Sequence, residues 1–208
     1  MKKNLYLCGF SLLNYQKRMK HPRYFLSLVL VFVTMVMAFG QKSTNPLSCE
    51  NGIIQNSKST KHKITEYTRL LSFTPEKLIN YYKSRPYLEI LAGLEQKDGL
   101  YFLNLIAKFE SKDIKKSYGS INEKDFLRVT FLDGRHVFLR NLSISEAKLE
   151  SLTGKTIYEA KFSIHKDDIL LLESLLIDEI GILWSSGFES YPVAYVEFLN
   201  HHFQCLKK

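Results

Sequence analysis

The sequence predicts an α+β fold in a single domain, a mainly antiparallel sheet with two or three covering helices. Three observations carry this. Several runs alternate apolar and polar residues at the strand period. Asp133-Gly134 sits between two such runs, the signature of a tight hairpin. Shorter stretches near residues 75, 168 and 193 carry helix-start chemistry or helical spacing.

The first strand is expected in "KITEYTRLLSF", which places Tyr67, Arg69, Leu71 and Phe73 on one side. Thr74-Pro75-Glu76 then offers an N-cap, a proline at the first helical position and an acid in the first turn. The helix this starts should run to about Ser84, with Leu78, Ile79 and Tyr82 on its apolar face, and Pro86 closes it. "PYLEILAGLEQ" fits a second helix and a strand equally well. In "LYFLNLIAKF", Leu103, Leu105, Ala107 and Phe109 alternate against Asn104 and Lys108, which argues a strand.

"DFLRVTFLDGRHVFLRN" reads as the hairpin. A two-residue turn at Asp133-Gly134 sets Phe131 opposite His136 and Val129 opposite Phe138, with Leu127 on the same core face. "TIYEAKFSI" alternates as a further strand, and "HKDDILLLESLL" places Asp167 and Asp168 at the positive end of a helix dipole. "IDEIGILW" reads as a buried strand broken by Ser185-Ser186-Gly187. A last helix over residues 193–206 aligns Val196, Leu199, Phe203 and Leu206.

Ahead of this domain lies "MKHPRYFLSLVLVFVTMVMAFGQK", residues 19–42. Lys20 and Arg23 precede an apolar run, and Ala38-Phe39-Gly40 supplies the small residues a signal peptidase needs. Residues 1–40 read as an export leader whose true start is Met19, 41–61 as a flexible arm rich in Ser, Asn, Thr and Lys, and 62–208 as the domain. The alternative is an uncleaved anchor, because residues 24–41 form an uncharged run of 18, at the lower limit for a spanning helix. Under either reading the positive-inside rule sends the domain across the membrane, to the periplasm or the outside.

Removing the leader changes the charge argument. The full chain has a net charge of +8, but residues 1–40 hold six Lys or Arg and no acid. The remaining 168 residues carry 23 basic against 21 acidic side chains, which removes nucleic acid as an expected partner. Of three cysteines, Cys49 and Cys205 survive cleavage as an even pair in an exported chain, a candidate disulfide.

Histidines are the side chains that most often carry site chemistry near neutral pH. His136 lies beside the hairpin turn and reads as an amphipathic residue at a sheet rim. His165, Asp167 and Asp168 could be drawn as a metal or acid/base cluster, but helix capping is sufficient to explain them. His201 and Cys205 share a helix face with His202 nearby, but a zinc site needs three or four ligands and no second cluster at ligand spacing exists. Gly-x-Ser-x-Gly, His-Glu-x-x-His and phosphate-loop patterns are absent. No metal or cofactor is therefore expected. Asn141-Leu142-Ser143 matches the glycosylation sequon.

"GFESYPVAYVEF" gathers aromatic residues beside Trp184. Trp184, Phe188, Tyr191 and Tyr195 are the candidate partner or ligand surface, with core packing as the competing reading. The leader over 19–42, and more loosely the hairpin, strand, Leu-rich helix, buried strand and terminal helix of 120–206, resemble those of uncharacterised exported proteins of Bacteroidetes-type bacteria. That resemblance implies a periplasmic or secreted location and carries no activity or site residue. The expected function is binding of an envelope protein or ligand without catalysis. The alternative is an envelope hydrolase or metal-dependent enzyme using His165, Asp168 and His201.

Overall fold

The computed structural model describes the backbone of Ile53–Ser57 and residues 62–208 in full. The expected leader, Cys49, the candidate anchor at 24–41 and the rest of the expected arm lie outside the described residues. No described helix is long and apolar enough to cross a membrane.

The fold class differs from the expected α+β. The chain is sheet-dominated, with three short helices of five, six and ten residues among the described residues. In chain order the first half comprises β1 (Ile53–Ser57), β2 (His62–Thr65), β3 (Thr68–Phe73), β4 (Leu88–Lys97), β5 (Leu100–Phe109) and α1 (Ile114–Tyr118). Next come β6 (Ser120–Ile121), β7 (Phe126–Phe131), β8 (His136–Asn141), β9 (Ser145–Glu146), β10 (Lys148–Leu149) and β11 (Thr156–Ile164). The chain ends with α2 (Ile169–Ser174), β12 (Ile177–Trp184), β13 (Gly187–Pro192) and α3 (Phe198–Lys207).

Two local causes shift the balance towards strand. The helix expected over 75–84 shrinks to a single 3₁₀ turn, Glu76–Leu78. Thr74 does not cap it, because its hydroxyl oxygen accepts a hydrogen bond from the Tyr87 amide instead. Ile79 and Tyr81 stay exposed, so the segment has no apolar stripe to bury and a helix there gains nothing from packing. The ambiguous stretch becomes β4, a ten-residue strand paired along its whole length with β5. Part of the expected arm is also strand, since β1 pairs antiparallel with β2.

Eleven strands form one sheet in the order β1-β2-β4-β5-β11-β8-β7-β12-β13, with β3 also on β4 and β10 on β11. β2 and β3 lie end to end along β4, broken at Glu66-Tyr67. A register shift between Arg69 and Leu71 turns both Leu70 and Leu71 inward, against the strict alternation expected there. The sheet curls back on itself, because the amides of Ala194 and Tyr195 reach the Leu70 carbonyl at 3.2 and 3.4 Å. The Phe73 and Tyr191 rings meet edge to face at 5.3 Å in the same region.

One face of every long strand fills the enclosed core. Leu103, Leu105, Ala107 and Phe109 of β5 pack with Tyr158, Ala160 and Phe162 of β11, as their alternation predicted. The centre is aromatic, with Phe109 and Trp184 in contact with each other and each with Tyr118 and Tyr158. At one end of β5, α1 inserts Ile114 and Tyr118 beside Phe109. At the other end, α3 places Phe203 against Tyr101. The helices thus close the ends of the core.

Candidate functional site

The hairpin that the Asp-Gly pair announced is present, and its register differs by one residue from the expected one. Thr130 pairs with His136, Val129 with Val137 and Arg128 with Phe138. The turn is longer than two residues. The Gly134 amide bonds to the Phe131 carbonyl, Gly134 takes φ +85°, and the Phe131 amide then reaches the Arg135 carbonyl. This is a three-residue loop with glycine in the left-handed position, which Asp-Gly serves as well as it serves the shorter turn. Because strand side chains alternate, a slip of one residue exchanges the two faces of β8. Val137 and Leu139 are buried, and His136 and Phe138 are turned out to solvent.

The outer face of β8, β7, β12 and β13 consequently carries a connected row of rings. The His136 and Phe138 centroids lie 5.2 Å apart, Phe138 and Phe126 5.0 Å, and Phe126 and Phe188 5.9 Å. Phe138 is 49% exposed and Phe188 40%. Arg128 stands among them, its guanidinium 4.7 Å from the Phe188 centroid and its Nη2 donating to Ser190 Oγ at 3.0 Å. Gly181 makes room for Phe188: a Cβ there would lie 2.2 Å from the ring's Cζ. Arg140 lies opposite Phe126 across the ladder, and neither arginine has an acidic partner among the described residues. No protein-family model, curated protein or solved structure matches this chain.

Of the four expected surface residues, only Phe188 belongs to this row. Trp184 and Tyr191 are each 1% exposed. The Trp184 indole N–H donates to the Tyr191 hydroxyl at 3.3 Å, and that hydroxyl donates to Glu189 at 2.8 Å, so both polar groups are satisfied in the core. Burial and the neighbouring Glu189 carboxylate push the Tyr191 pKa far up. Tyr195 is half-buried against Phe198 and hydrogen-bonds His201. Phe126, Phe138 and Arg128 were missed because the two-residue turn assigned Phe138 to the core.

Of the groups of the enzymatic alternative, His165 and His201 each have local partners. His165 Nδ1 accepts from the Asp167 amide at 3.4 Å, capping the turn that leads into α2. His201 contacts Tyr195 and, at 3.6 Å, Glu197. Among the described residues no group of three His, Cys, Asp or Glu side chains is placed to hold a metal ion. Asn141 of the sequon is buried, its amide donating to the carbonyls of Asn122 and Ser143, so it serves as a bracket for the loop. Cys205 is fully buried on α3.

Two buried polar clusters remain, and both are internally satisfied. Glu95, on the outer face of β4, receives His62 Nε2 at 3.0 Å, Asn104 Nδ2 at 3.0 Å and Lys161 Nζ at 2.7 Å, while Lys161 also sits 4.4 Å over the Phe102 ring. Burial alone would raise the Glu95 pKa, but the hydrogen bonds from Lys161, Asn104 and His62 outweigh it and lower the pKa. An ionised carboxylate with both oxygens engaged is a clamp across β2, β4, β5 and β11 and a poor proton donor. His202 is fully buried between Thr65 Oγ1 at 2.6 Å and Thr68 Oγ1 at 2.9 Å, stacked on Phe198. Burial, with His201 nearby, lowers its pKa to about 4, so it is neutral at pH 7. A shallow recess of about 210 Å³ lies between Phe131, Leu132 and Ser174–Leu176.

Proposed function

We propose that this protein is an exported domain that binds a partner or ligand of the cell envelope, without catalysis, through the outer face of β7, β8, β12 and β13. The carrying observation is the row His136, Phe138, Phe126 and Phe188 with Arg128 among the rings. Contiguous exposed aromatic surface is unfavourable in water, and folding did not need it, because the interior is already filled from the opposite face of the same strands. Aromatic residues and arginine together are the composition enriched at recognition surfaces. Support for export comes from Lys20, Arg23, the apolar run and Ala38-Phe39-Gly40.

Co-sedimentation of the full chain with sonicated bacterial envelope fragments tests this reading. The parent is expected to pellet with the fragments. The double variant Phe126→Ser/Phe138→Ser should remain in the supernatant, and Leu152→Ser, at an exposed site off the face, should behave as the parent. Pelleting of the double variant at the parent level would refute the assignment.

A further inference from the structure

We propose that the ligand of this face is an acidic polysaccharide, an extended chain whose sugar rings pack on the phenylalanines and whose carboxylates are held by Arg128 and Arg140; this rests on the binding role proposed above. Three features of the face select that class. The rings form a row across three strands on an open surface, which suits a long chain lying along the sheet and not a compact molecule, whose sites are concave. Pyranose rings expose flat faces of C–H bonds, and such faces pack against aromatic carbon while leaving the hydroxyl rim in water. Phenylalanine supplies that contact with no competing polar group.

The second feature is charge. Arg128 and Arg140 share one side of β7 and β8 and have no acidic partner among the described residues, so two guanidinium charges stand uncompensated on this face, that of Arg128 against the Phe188 ring. The planar fork of arginine matches a carboxylate in two parallel hydrogen bonds. Glu179, opposite Thr130, is the acid that the register places on this face. The third feature is the remainder of the domain. Residues 62–208 carry equal numbers of basic and acidic side chains, so the long-range attraction that nucleic-acid binding relies on is missing. A polymer with one carboxylate per sugar or per few sugars asks only for local charge.

The experiment uses the full chain and three polymers of similar length: polygalacturonate, dextran and oligo-deoxythymidine, with affinity read by retardation in polymer-containing native gels. Polygalacturonate is expected to retard the protein, and dextran and the oligonucleotide to do so at least about tenfold more weakly. Arg128→Gln/Arg140→Gln should weaken polygalacturonate binding by about tenfold or more, and Gly181→Ala, which lifts Phe188 off the sheet, should weaken it while leaving the thermal unfolding curve in place. Equal retardation by dextran, tighter binding of the oligonucleotide, or indifference to the arginine change would each overturn the acidic-polysaccharide assignment. If those results appear while Phe126→Ser/Phe138→Ser still abolishes pelleting with envelope fragments, the ligand class fails and the binding face stands. Pelleting by that double variant removes both.

Discussion

His202 shows how a single buried side chain ties stability to pH. Its pKa is about 4 in the native state against 6.5 for an unhindered imidazole, because the proton would have to enter a dry site beside His201. Above pH 6.5 both states are neutral and the full stability is present. As pH falls the unfolded chain takes the proton first, so stability drops between pH 6.5 and 4 by up to about 3 kcal/mol. Urea titrations at pH 7 and pH 4.5 should show this loss, and His202→Gln should flatten it. Glu95 acts in a lower window: its lowered pKa contributes stability that is present above pH 4.5 and lost as the carboxylate protonates. Glu95→Ala strands Lys161, Asn104 and His62 without their acceptor and is expected to destabilise by about 2 to 3 kcal/mol, read as a fall in the urea midpoint. Glu95 did not stand out in the sequence, since a buried ion pair between β4 and β11 requires knowing that β5 lies between them.

At the level of elements, the strands whose apolar residues alternate without interruption were legible: β5, β7, β11 and β12 fall where the pattern put them. What escaped was decided by backbone features with little side-chain signature. β13 carries no clean alternation, and its pairing with β12 rests on the Ser185-Ser186 turn and on Gly187 at φ +143°. The bulge at Arg69 to Leu71 and the three-residue loop at Leu132 to Gly134 each shift the count by one, and the second of these hid the aromatic face. Gly134 has open space around it, so Gly134→Ala meets no clash and pays only for its left-handed backbone, about 1 kcal/mol in thermal or urea unfolding. A substantially larger loss would mean that the loop is not the three-residue form. The helix expected over 75–84 failed for a related reason: a proline and an acid start a turn at Pro75, but without a buried stripe the turn does not propagate.

For the whole molecule, removal of the leader would leave a nearly neutral domain whose core is enclosed by a curled sheet and closed at its ends by α1 and α3. Cys205 lies on the buried side of α3, and a bridge to Cys49 would tie the start of the mature chain to its last helix. Peptide mapping without reduction should recover Cys49 and Cys205 in one linked fragment, and two separately alkylated peptides would contradict the bridge. Such a link closes most of the mature chain into a loop and would restrict the unfolded state by about 4 to 5 kcal/mol. The proposed binding role rests on the outer face of β7, β8, β12 and β13. Hydroxyl-radical footprinting of the full chain with and without envelope fragments addresses it most directly. Protection concentrated at Phe126, Phe138 and Phe188, with Tyr81 and Leu152 unchanged, is the predicted result; protection elsewhere with those three rings still fully reactive would contradict it.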